Sequence, residues 1–133
     1  SPLGCAAGLA VLDVIKRERL AERALALGDR IVTRLRALQA RYACIGEVRG
    51  LGMMVAMELV RNRRADAPDA DLTKQLVQAA GRRGLVLLSC GIYSNVIRFL
   101  APLTIGEQLL DEGLGLLEGA LEEVAGAGKR ATG

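Results

Sequence analysis

In "SPLGCAAGLAVLDVI", Leu3 to Ile15 is apolar almost all round, Ser1 is placed to cap a helix and Pro2 to fill its first position. A helix apolar on every side is expected to be buried. With no initiating methionine, this predicts that further chain precedes Ser1 and covers the helix. After the polar "KRER", Leu20, Ala24, Leu27, Ile31, Leu35, Leu38 and Tyr42 recur at three- and four-residue intervals, the pattern of an amphipathic helix of about six turns. Its opposite side, with Glu22, Arg23, Arg30, Arg34 and Arg36, reads as a solvated back. Gly50 and Gly52 then break the pattern before Met53, Val55, Met57 and Leu59 alternate with Met54, Ala56 and Glu58. That alternation predicts a strand over 53–59, its methionines filling gaps in the core.

Asp69 or Asp71 caps the next predicted helix, with Leu72, Leu76, Val77 and Ala80 on one stripe and Gly84 as the stop. "LVLLS" predicts an apolar strand over 85–89, and "CGIYSN" is short enough to join it as a hairpin to a strand over 96–101, closed by Pro102. Thr104 and Glu107 have capping-box spacing before Leu109, Leu110, Leu114, Leu117, Leu121 and Val124, with Gly126 as the end. The order predicts an α+β domain over 1–125, with a small, mainly antiparallel three-stranded sheet covered by helices. The tail 126–133 is expected to be frayed, and no internal repeat is visible.

At 133 residues and 51% hydrophobic, the chain is long enough to bury one core. Aromatic residues are 2%, with no Trp, so platforms for stacking bases are missing. The net charge of +3 is not gathered into a basic patch, and nucleic acid is excluded as a partner. The one basic cluster, "RNRR" at 61–64, adjoins "ADAPDAD" and reads as a solvated loop. Cys5, Cys44 and Cys90 share no disulfide or metal spacing, so they read as reduced thiols of a cytosolic protein. No segment predicts a membrane span or a signal peptide, and the expected location is cytoplasmic.

There is no histidine, which excludes Ser-His-Asp and Cys-His chemistry and removes the commonest metal ligand. Lys16, Lys74 and Lys129 lie in charge-rich contexts where none is desolvated enough to be a nucleophile. "GLG" at 50–52 precedes a strand instead of linking a strand to a helix, so it is not a phosphate loop. Histidine-based catalysis, a nucleophilic lysine and a metal site are therefore not expected in this chain.

Arg98 stands out. It lies within "CGIYSNVIRFLAPLT", in an apolar run where alternation puts Val96, Arg98 and Leu100 on one face and Ile97, Phe99 and Ala101 on the other. A guanidinium keeps its charge, and burying it alone costs several kcal/mol in order of magnitude. Two kinds of answer are open. One is structural: a snorkelling arginine on an edge strand, or one paired with an acid of the same chain. The other is a ligand's carboxylate or phosphate gripped by the planar fork. On residues alone, a stand-alone anion-binding module and a structural or dimerisation domain also remain.

Three blocks, "SPLGCAAGLAVLDVI", "IGEVRGLGMMVAMEL" and "RGLVLLSCGIYSNVIRFLAPLTI", resemble in order and spacing the C-terminal part of the class III pyridoxal-phosphate aminotransferases, above all those acting on 4-aminobutyrate. The resemblance runs from Ser1 to about Val124. It implies the small domain of the aminotransferase fold, with a helix joining it to a large pyridoxal 5'-phosphate domain of the same protein, and a homodimer. It implies that the arginine matching Arg98 binds a substrate carboxylate, as the amino group of 4-aminobutyrate or a similar ω-amino acid passes to 2-oxoglutarate. It also places the catalytic lysine, the acid beside the pyridine nitrogen and the phosphate-binding groups before Ser1. By that resemblance, no catalytic or cofactor-binding residue and no cofactor is expected on this chain, which by itself should be inactive.

Overall fold

A computed structural model describes residues 1–126; the expectation for the tail lies, beyond Gly126, outside the described residues. The elements are helix α1 (Pro2–Arg17), helix α2 (Leu20–Arg41), strand β1 (Ile45–Leu51), strand β2 (Met54–Leu59), helix α3 (Ala70–Arg82), strand β3 (Leu88–Cys90), strand β4 (Val96–Phe99) and helix α4 (Glu107–Gly126). The class is α+β, but the sheet has four strands instead of three, in the order β1-β2-β4-β3, and every pair is antiparallel.

The additional strand is β1, and its own register hides it. Ile45 pairs with Leu59 but Val48 pairs with Met57, so β1 carries one extra residue, a β-bulge. Its buried residues, Ile45 and Val48, therefore stand three apart, which erases the period of two. β1 and β2 then join through a two-residue turn with Gly52 at its first position, φ +54°, the left-handed conformation such turns favour in glycine. "GLG" is thus hairpin chemistry.

The strand expected over 53–59 starts one residue later, and its alternation holds: Val55, Met57 and Leu59 of β2 are buried and Met54 is exposed, while Met53, also buried, belongs to the turn. Strand 85–89 shrinks to β3 at 88–90, and 96–101 to β4 at 96–99. Leu85 leaves the preceding helix still bonded to the Ala80 carbonyl, and Pro102 lacks an N–H for the ladder. The hairpin between β3 and β4 is present, pairing Cys90 with Val96 and Leu88 with Arg98.

Leu27, Ile31, Leu35 and Leu38 of α2, Leu76 and Ala80 of α3, and Leu114, Leu117 and Leu121 of α4 form one core with Val55, Met57 and Ile97 of the sheet. Among the described residues, helices thus cover one face only. Asp69 caps α3, accepting from the Leu72 N–H at 3.0 Å. The Thr104 capping box does not form. α4 starts at Glu107 with the Leu110 N–H donating to Gly106, while Ile105 closes a turn onto Pro102.

The solvated back of α2 also reads differently. Arg30 pairs with Glu107 and Asp111, Arg34 and Arg41 with Glu118, and the Tyr42 hydroxyl donates to Glu122 at 2.5 Å. α2 is thereby fastened along α4. The apolar α1 buries none of its residues; Leu3, Leu9 and Leu12 are exposed, because the described residues supply no second layer against it.

Candidate functional site

β4 lies between β2 and β3, so Arg98 is not on an edge. Its Cα partners are Ala56 on one side and Leu88 on the other. Directly opposed residues of an antiparallel pair share a face, and this face is the one turned away from the helices. Arg98 is exposed there, while Ile97 before it is fully buried.

Opposite Arg98 and on its Leu100 side the surface is apolar: Met54, Val86, Leu88 and Leu100 are all more than half exposed. A cleft of about 430 Å³ between β3, β4 and α4 counts Leu87, Phe99 and Leu110 in its lining, and Arg98 and Glu112 are its charged residues.

Among the described residues, no carboxylate lies within ion-pair distance of Arg98, although most arginines of the chain have such a partner. Arg49 of β1 makes the contrast plain. It shares the face with Arg98, yet its guanidinium lies 2.7 Å from Glu47 and 2.7 Å from Glu58. Both structural explanations of Arg98, an edge position and an acid of the same chain, therefore fail among the described residues. Its fixed fork of N–H donors is left to solvent or to a ligand.

Two residues whose roles pattern reading missed fix the chain before and after β4. Asn95 is buried and its Nδ2 donates to the Leu59 carbonyl at 3.0 Å. Arg23, read as solvated, donates through Nε to the Leu103 carbonyl at 2.8 Å and through Nη2 to that of Ile105 at 2.5 Å. Asn at the mouth of a strand carried a weak signal as a turn former; Arg23 carried none.

Lys16 and Lys74 are exposed on α1 and α3, and neither lines the cleft. No cluster of three metal-ligating side chains occurs among the described residues. All three cysteines are free, and burial pushes the Cys44 thiol up. "RNRR" forms a loop in which Arg61 meets Asp69 at 3.5 Å and Arg64 meets Asp66 at 2.8 Å. No described helix is long and apolar enough to cross a membrane.

Residues 1–121 match the profile of the family described as aminotransferase class-III. The chain belongs to this family. Among its class III relatives, a 5-aminovalerate aminotransferase from Pseudomonas aeruginosa is 49% identical over 94% of the chain, which spans 29% of that relative's length. A 4-aminobutyrate aminotransferase from Mycobacterium bovis is 45% identical over 88% of the chain and 26% of its own length. Among solved structures, an amine transaminase from an uncultivated Pseudomonas species, in its PLP-bound form, superimposes with a TM-score of 0.83 at 34% identity, over 92% of this chain and 28% of that one.

Proposed function

We propose that the chain is the C-terminal small domain of a longer transaminase that moves the amino group of an ω-amino acid to 2-oxoglutarate, and that Arg98 holds a carboxylate of the keto acid. The observation that carries this reading is a guanidinium on an inner strand, bordered by apolar surface and without an ion-pair partner among the described residues. A planar fork there fixes the orientation of a flexible diacid as well as attracting it. Relatives named for 4-aminobutyrate and for 5-aminovalerate match at similar identity, so the donor class is a four- or five-carbon ω-amino acid.

Pyridoxal phosphate, when bound, supplies the electron sink for amine transfer. Lys16 and Lys74, exposed on separate helices, do not fit it, and we assign its binding to the part of the protein outside this chain. That part includes a large domain, and the assembly is a homodimer. The chain by itself moves no amino group and binds no cofactor covalently. Assay of the full-length protein against a panel of ω-amino acids, with 2-oxoglutarate and with pyruvate as acceptors, tests the reading. Strong preference for 2-oxoglutarate supports it; equal use of pyruvate, which has one carboxylate, overturns it.

A further inference from the structure

Four charged side chains share the open face of the sheet: Glu47 and Arg49 of β1, Glu58 of β2 and Arg98 of β4. Register places Arg49 opposite Ala56 on one side of β2 and Arg98 opposite Ala56 on the other. Glu58 is two residues beyond Ala56, so it is a diagonal neighbour of both arginines. Diagonal neighbours lie about 7–8 Å apart, a span that long side chains cross. Glu58 thus stands diagonally between two guanidinium groups, and it is turned to Arg49, 2.7 Å from Nη1. Glu47 completes the grip on Arg49 from the same strand at 2.7 Å.

We propose that Arg49 is a positioning residue that keeps Arg98 open for a ligand's carboxylate by holding Glu58 away from it. This rests on the reading of Arg98 as a carboxylate-binding residue. Without Arg49, Glu58 turns to the nearest remaining cation, Arg98. A carboxylate tethered one strand away occupies the same N–H donors that a diacid needs, at an effective concentration that a free ligand does not match. Arg49 therefore acts on binding without touching the ligand.

The test uses the full-length protein and glutarate, a five-carbon diacid with neither amino nor keto group, so that binding is measured apart from turnover. Arg49→Ala should raise the glutarate Kd about tenfold, a step of about 1.4 kcal/mol. Arg49→Ala combined with Glu58→Gln should bring it back to within about threefold of the parent, because the competing carboxylate is gone. Arg98→Lys serves as the control for the underlying reading. If Arg98→Lys weakens glutarate and Arg49→Ala does not, the proposal falls and the reading stands. A loss in Arg49→Ala that Glu58→Gln leaves in place also overturns the proposal, since Arg49 would then act through the fold or on the ligand directly. If neither Arg98→Lys nor Arg49→Ala changes binding, the reading falls and takes the proposal with it. Should Arg49→Ala fail to fold, Arg49→Gln replaces it; collapse of both variants makes Arg49 a folding residue and likewise overturns the proposal.

Discussion

Asn95 and Leu59 are joined twice: the Leu59 N–H donates to the Asn95 carbonyl at 2.7 Å, and Asn95 Nδ2 donates to the Leu59 carbonyl at 3.0 Å. The same carbonyl also accepts from the Asp69 N–H at 3.0 Å, so both of its lone pairs are used. β4 is only four residues long, and a slip of one residue would turn Arg98 into the core and Ile97 out of it. The Asn95–Leu59 link sets the register before the strand begins.

Asn95→Ala should therefore destabilise the domain by about 1–3 kcal/mol, the cost of losing a buried hydrogen bond together with its amide. Chemical denaturation of the full-length protein measures this. A variant as stable as the parent would show that register is held elsewhere.

Two helical glycines should respond to alanine with opposite signs. In an open helical position Gly→Ala stabilises by about 0.5–1 kcal/mol, and a Cβ at Gly81 would meet nothing within 4 Å. At Gly28 a Cβ would lie 2.0 Å from the Gly52 carbonyl oxygen, a backbone atom that cannot turn aside. Overpacking of that kind costs about 1–3 kcal/mol, which outweighs the propensity gain. Melting curves should show Gly81→Ala at or above the parent and Gly28→Ala below it.

The α4 carboxylates make stability depend on pH. Hydrogen bonds from Arg41 and then Arg34 hold Glu118 below the usual carboxylate range, one from Arg30 does so for Asp111, and those from Arg83 and Arg82 for Glu123. Groups with lowered folded pKa bind fewer protons folded than unfolded. Their contribution is complete above the unfolded values, about pH 4, and fades as pH falls through the folded ones. Glu118→Gln should lower the melting temperature at pH 7, and its gap from the parent should narrow as pH falls below about 4. A gap that does not narrow on acidification would remove Glu118 from this account.

Helices α2, α3 and α4 were legible because each keeps one apolar stripe: the α2 stripe from Leu20 to Tyr42 is the buried side of that segment, with Ala24 half-buried within it. β2 was legible for the same reason at a period of two. β1 was not, because its bulge puts Ile45 and Val48 out of phase. Arg98 announced itself as a charge in an apolar run, but its lack of a partner depends on where Arg49 and Glu58 fall across three strands. Arg23 looked like one more surface arginine, since its acceptors are the carbonyls of Leu103 and Ile105, some eighty residues away, and backbone acceptors leave no trace in residue type.

The central claim is that Arg98 grips a carboxylate of the keto acid, and Arg98→Lys in the full-length protein tests it most directly. Lysine keeps the charge and loses the paired geometry. Single-turnover kinetics with glutamate should lose about 2–3 kcal/mol of transition-state binding, on the order of a hundredfold in kcat/KM, while the melting temperature stays close to the parent. A variant that melts lower yet reacts with glutamate at the parental rate would contradict the account.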